Sequence, residues 1–209
     1  MIYFFTKKQN AKRDCGFTLV ELMLSLAIFS VVMLAGVTAL FGISYANRRA
    51  HIMQLSYDNV NFAMESMVRT IRLGTSFHCE YDDGTPITTP RDCPMPTNGT
   101  VSQSYAKSIA FEGQLGSYNS SSDQIIFRLN TSTYTIERSI DSGLTWVPIT
   151  SSQIKINQLH FYVYGAALGD NVQPRVIITV QGEATIDSRN NTKIQFALQT
   201  TAVQRIFDK

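Results

Sequence analysis

Residues 12–36 read KRDCGFTLVELMLSLAIFSVVMLAG, a basic cluster followed by an apolar run with a single carboxylate, Glu21, near its start. An ionised carboxylate placed in lipid costs a few kcal/mol. Glu21 therefore poses a question of how a charge is accommodated, not one of bond-making. Two local roles are available. Thr18-Leu-Val-Glu21 fits the T-x-x-E capping box, in which the acid satisfies backbone donors at a helix start, and the position lies at the positive end of a helix dipole. Neither role accounts for Gly16 and the basic cluster ahead of it.

The other reactive residue types are sparse. Cys79 and Cys93 share one polar, Pro-rich stretch, and an even pair closing a short loop reads as a disulfide made in an oxidising compartment. A zinc site from His78, Cys79 and Cys93 would have three ligands and lack CxxC spacing, so the disulfide is the better reading. His51, His78 and His160 share no spacing, and Asp82-Asp83 reads as a solvated acidic pair, with a contribution to a calcium site as the alternative. No G-x-S-x-G, P-loop, HExxH or dinucleotide fingerprint occurs. The expectation is a protein that is not an enzyme, with no catalytic residues, no metal and no cofactor. Asn98, Asn119, Asn130 and Asn190 begin N-x-S/T sequons, which read as incidental.

These residues have to be positioned by four kinds of segment. Phe17 to Ile43 is a 27-residue run with one charge, about 40 Å long as a helix against the ~30 Å hydrocarbon core. Lys7, Lys8, Lys12 and Arg13 precede it, which predicts a single pass with a cytoplasmic N-terminus. A secretory signal peptide would have a shorter apolar core ending in small residues. From residue 44 to 73, Met53, Tyr57, Val60, Met64, Met67 and Ile71 recur at steps of four and three. They predict an amphipathic continuation of the same helix, with Gly74 as its C-cap. The segment 74–107 reads as a loop. Beyond it the period changes to two, with strand candidates at 108–112, 124–129, 133–140, 144–149, 153–164, 174–184 and 193–205. The fold class is α+β, a long spine helix packed on a C-terminal antiparallel sheet over 108–209.

Charge excludes one function class. Charged residues are 16% of the chain against 44% apolar, and the net charge of +2 comes from the N-terminus. With residues 1–16 set aside, 14 basic residues face 15 acidic ones. No basic surface is left to attract nucleic acid by electrostatics alone.

Basic leader, Gly16, Phe17-Thr18-Leu19-Val20-Glu21 and some twenty apolar residues together resemble the processing site of type IV pilins and of the pseudopilins of type II secretion. The resemblance implies cleavage of residues 1–16 by prepilin peptidase between Gly16 and Phe17, and N-methylation of Phe17. It also implies assembly through the N-terminal helix, in which Glu21 meets the terminal amine of a neighbouring subunit. The expected partners are other pilin or pseudopilin subunits, the peptidase, and inner-membrane lipid before assembly. The expected location is the inner membrane and then a periplasmic or cell-surface filament. The chain departs from major pilins in having no proline in the apolar run, only Gly36 and Gly42. The C-terminal runs "YTIERSIDSGLTWVPIT" and "QPRVIITVQGEA" resemble the larger minor pilins and pseudopilins of the PilW and GspJ type. That implies a low-copy initiating or tip subunit of a type IV pilus; the alternatives are a type II secretion pseudopilus tip and an adhesive or DNA-binding tip module. An ordinary single-pass anchor is a third rival, and it would keep residues 1–16.

One motif invites a wrong conclusion. Residues 139–146, S-I-D-S-G-L-T-W, match the Asp box repeated in sialidases, where it builds a hairpin turn and not the catalytic apparatus. Here it reads as a turn, with Trp146 in the core.

Overall fold

The computed structural model describes residues 16–79, 90–93, 105–116, 120, 122–167, 169–187 and 192–205. One helix, α1 (Leu19–Arg72), is followed by eight strands: β1 (Thr75–Cys79), β2 (Ser108–Glu112), β3 (Gln124–Asn130), β4 (Thr135–Ser139), β5 (Val147–Pro148), β6 (Ile154–Tyr164), β7 (Arg175–Asp187) and β8 (Thr192–Val203). This is the α+β arrangement expected from the sequence. The chain forms two compact units, residues 1–47 and residues 48–209.

In the first unit every described residue is exposed. Leu, Met, Ala and Phe populate all sides of α1 here, so no single face is apolar. Ser25, Ser30 and Thr38 return their hydroxyls to the carbonyls of Glu21, Leu26 and Ala35 at 2.7, 2.8 and 2.9 Å. Their polar groups are thus satisfied within the helix, as an apolar surrounding requires.

In the second unit α1 is one-sided. Val60, Met64, Met67 and Ile71 of the apolar stripe are buried, together with the small residues Ser56 and Ala63 beside them. Met53 is the exception, 38% exposed. The helix ends in a tightened turn, Leu73 N–H to the Thr70 carbonyl (3.2 Å) and Gly74 N–H to Ile71 (2.9 Å). Gly74 does not take the left-handed conformation of a glycine C-cap. It is required for a different reason: a Cβ there would collide with the Phe111 ring.

The strands form two antiparallel meanders, one of five in the order β1-β2-β3-β4-β5 and one of three, β6-β7-β8. The single sheet expected from the sequence is therefore corrected to two. Alternation tells which residues face inward but not where the ladder breaks, and it breaks at the turn between β5 and β6. A second correction concerns 74–107, read as loop: its start pairs as β1 with β2, Thr75 opposite Glu112 and Cys79 opposite Ile109. The signal is weak because Thr-Ser-Phe-His-Cys has one apolar anchor, Phe77. That ring lies 5.7 Å from Phe111, and Phe111 lies 6.0 Å from Phe127, an aromatic ladder across β1, β2 and β3. Each such pair contributes about 0.5–1.5 kcal/mol beyond the area it buries.

α1 and both sheets share one buried cluster. Tyr57 of α1 meets Phe196 of β8 at 6.2 Å, and Phe196 packs over Gly182 in the facing register position of β7. The expectation that Trp146 is a core residue is also corrected. Ala110 and Ile126 stand opposite each other in the β2–β3 register. Pleat alternation turns them to the face away from Ile109, Phe111 and Phe127. Half-buried Trp146 packs on that second face, with the Arg128 guanidinium 3.5 Å from its ring centroid.

Candidate functional site

Gly16, Phe17 and Thr18 lie immediately ahead of α1, and Phe17 is 78% exposed. Thr18 is the N-cap. Its carbonyl accepts the first helical bond from Leu22 N–H at 3.2 Å, and its hydroxyl accepts the Glu21 N–H at 3.3 Å. This is the threonine half of the capping box, and it fixes Glu21 in the first turn with its side chain exposed. α1 passes the length and composition requirements for a membrane-crossing helix, with none of its most apolar stretch buried inside the protein. Chemically, the arrangement offers a lone acid among exposed apolar side chains, one turn from Phe17. Residues 1–15, the basic cluster among them, lie outside the described residues.

Cys79 ends β1 and is brought to Cys93 at disulfide distance, with the Cα atoms 5.8 Å apart, inside the range a disulfide spans. Both are 4% exposed. The pairing is positioned by backbone: Cys79 N–H donates to the Arg91 carbonyl (3.1 Å), Arg91 N–H to Phe77 (3.0 Å), and Cys93 exchanges two 3.0 Å bonds with Val163 of β6. Asp92, between them, had no signal in the sequence. Its carboxylate accepts the N–H groups of Ala166 (2.7 Å) and Gly165 (3.2 Å), pinning the turn after β6 where Gly165 has φ of 69°. Asp82 and Asp83, inside the Cys79–Cys93 interval, lie outside the described residues. So do Asn98, Asn119 and Asn190; Asn130 is used structurally, donating to Glu137 at 2.7 Å.

The Asp box is a closed turn. Asp141 Oδ1 accepts from the Ser139 hydroxyl (2.6 Å) and Thr145 N–H (2.9 Å), while Oδ2 accepts the Thr145 hydroxyl (2.6 Å). Ser142 and Gly143 take positive φ of 56° and 89°. Bonds from Ser139, then from Thr145, hold the Asp141 carboxyl down to about 2. Both carboxylate oxygens accept bonds from within the turn, the role of a structural turn residue.

A pair of acids was not anticipated. Glu112, 3% exposed at the end of β2, receives the Gln124 amide at 3.0 Å on Oε1, while Oε2 is buried with no hydrogen-bond partner. Burial first, and then the neighbouring Asp123 carboxyl, push the Glu112 carboxyl up from its ordinary value. The sequence signal was an acid closing an otherwise apolar strand, SIAFE, all five residues of which are buried.

The histidines do not form a set. His51 is on α1, His78 on β1 and His160 on β6, where it stacks on Tyr105 at 3.9 Å. Burial and the Lys107 charge lower its pKa. Among the described residues no group of three or more His, Cys, Asp or Glu could hold a metal ion.

Residues 11–37 match the prokaryotic N-terminal methylation motif. The match spans Lys12 and Arg13, Gly16, the capped helix start and the apolar run as far as residue 37. It supports a type IV pilin-like family and a processed, pilin- or pseudopilin-like subunit, and the exposed apolar helix beneath it fits anchoring in the inner membrane. No curated protein and no solved structure matches the chain.

Proposed function

We propose that the protein is a minor pilin-like structural subunit, cleaved by prepilin peptidase between Gly16 and Phe17, N-methylated on Phe17, and assembled into or initiating a type IV pilus. The observation that carries this is the coincidence of the methylation motif over 11–37 with a Thr18-capped helix start whose apolar side chains, up to residue 43, are all exposed among the described residues. In this reading Glu21 is a register pin. A lone carboxylate in lipid is costly, and the cost is relieved when the incoming subunit settles where Glu21 meets a neighbour's methylated amine. A polar residue that can be satisfied in only one alignment specifies that alignment, as a buried Asn does in coiled coils. The C-terminal two-sheet unit, with Cys79 and Cys93 bonded, is the part presented outside the membrane.

The experiment separates processing from assembly. Glu21→Ala is expected to be cleaved normally yet to fall by about tenfold or more in incorporation into sheared filaments, the loss expected when one buried charge pair is broken. Normal incorporation overturns the pin. Deleting the gene distinguishes the two families that carry the motif: loss of surface filaments supports the pilus reading, and loss of secreted enzymes with filaments intact replaces it with type II secretion.

A further inference from the structure

Three arginines line one open cavity in the second unit. Arg69 and Arg72 stand one turn apart at the end of α1, and Arg205 follows β8; with Glu65, Val68 and Leu73 they line a cavity of about 420 Å³. Their placement is built by backbone. Arg205 N–H donates to the Arg72 carbonyl at 2.9 Å, so the chain leaving β8 closes one of the open carbonyls at the helix C-terminus. Of the three, Arg69 has a partner, Glu65 at 3.1 Å, but both side chains are more than 70% exposed. An exposed i,i+4 pair is worth about 0.3–0.5 kcal/mol. Arg72 and Arg205 make no side-chain hydrogen bond or ion pair among the described residues.

We propose that this cavity binds a carboxylate-bearing segment of a partner protein. Each guanidinium presents a planar fork that matches a carboxylate bidentately, and two of the three forks have no side-chain partner among the described residues. Val68 and Leu73 also line it, and Phe62, 73% exposed about two turns before Arg69, lines a neighbouring pocket with Arg69; these add apolar contact for the aliphatic parts of a peptide. A nucleic-acid backbone fits less well. It needs a basic stripe following successive phosphates, whereas here the excess is local: residues 48–209 carry 14 basic and 14 acidic residues, and Glu65 stands at the rim. That the partner is another filament subunit rests on the function proposed above; capture of an acidic segment does not.

The test uses the full-length processed protein in detergent micelles and a labelled peptide alternating glutamate with leucine, read by fluorescence anisotropy at low ionic strength. Binding is expected, is expected to weaken with salt, and is expected to fall about tenfold or more in the Arg72→Gln, Arg205→Gln double variant, the loss of one charge-assisted contact or more. The Arg72→Lys, Arg205→Lys variant keeps the charge without the fork and is expected to fall in between, which guards against a misfolded double variant. Arg175→Gln, a control on β7, is expected to bind as the wild type does. The proposal is overturned if the acidic peptide does not bind, if its glutamine counterpart binds as well, or if a single-stranded oligonucleotide of equal charge binds more tightly. Failure here with Glu21→Ala still blocking assembly would leave the filament reading standing.

Discussion

The N–H of Glu21 is held by the hydroxyl of Thr18 at 3.3 Å. The bond means that the carboxylate proposed to receive a neighbour's amine is carried by the first fixed turn of α1 and not by a frayed end. Replacing an N-cap threonine by alanine costs about 0.5–2 kcal/mol. Thr18→Ala is therefore expected to speed amide hydrogen exchange at residues 19–22 in micelles, with little change beyond the second turn. Thr18→Ser is expected to retain protection. Equal exchange in all three proteins would remove the cap from the account.

Cys79 and Cys93 close a loop of sequence separation 14, for which loop-closure entropy predicts a stabilisation of about 3 kcal/mol. Cys79→Ser with Cys93→Ser is expected to lower the thermal midpoint of the unit formed by residues 48–209 in the full chain, and reductant is expected to do the same to the wild type and nothing to the double variant. Free thiols mapped to Cys79 and Cys93 in the purified native protein would contradict the pairing.

Glu112 predicts an unusual pH dependence. Its folded pKa is raised above 4.5 by burial and then by Asp123, against the lowering effect of the Gln124 amide. A raised pKa contributes stability that is fully present below 4.5 and is lost as pH rises through the folded value. Glu112→Gln keeps the shape and removes the charge. Its stability relative to wild type is expected to increase from pH 4 to pH 8, measured by urea denaturation at each pH. A difference that stays flat across that range would mean that Glu112 ionises freely.

Asp141 runs the other way. Its pKa is lowered from 3.8 to about 2 by Ser139 and Thr145, so its contribution is present above 3.8 and is lost as pH falls toward 2. Trp146 is the single tryptophan and lies one residue beyond Thr145, so its fluorescence reports the turn. An acid transition with a midpoint near the lowered value is expected in the wild type and absent in Asp141→Ala, whose spectrum should already be the open one.

The legible part of the fold was periodic. Met64, Met67 and Ile71 announced a helical face, and the strand runs fell close to the observed β2 to β8 because their apolar residues are spaced by two. Less visible were features made by contact between distant residues. Gly74 has the placement of a C-cap, yet its role is set by Phe111, 37 residues away. Trp146 has the composition of a core residue, but the register of Ala110 with Ile126 sends it to the outer face. Asp92 and Arg205 act through backbone partners that no spacing reveals. At the candidate site the position is reversed. Gly16, Phe17, Thr18 and Glu21 lie within six consecutive residues, so their relationship is local and the sequence carries nearly all of it.

The most direct test of the central claim is intact-mass and N-terminal peptide mass spectrometry of the protein isolated from its native membrane or filaments. The account predicts a 193-residue chain that begins at Phe17 and carries one methyl group on its α-amine. A chain that retains residues 1–16, or one that begins at Phe17 with an unmodified amine, would contradict it.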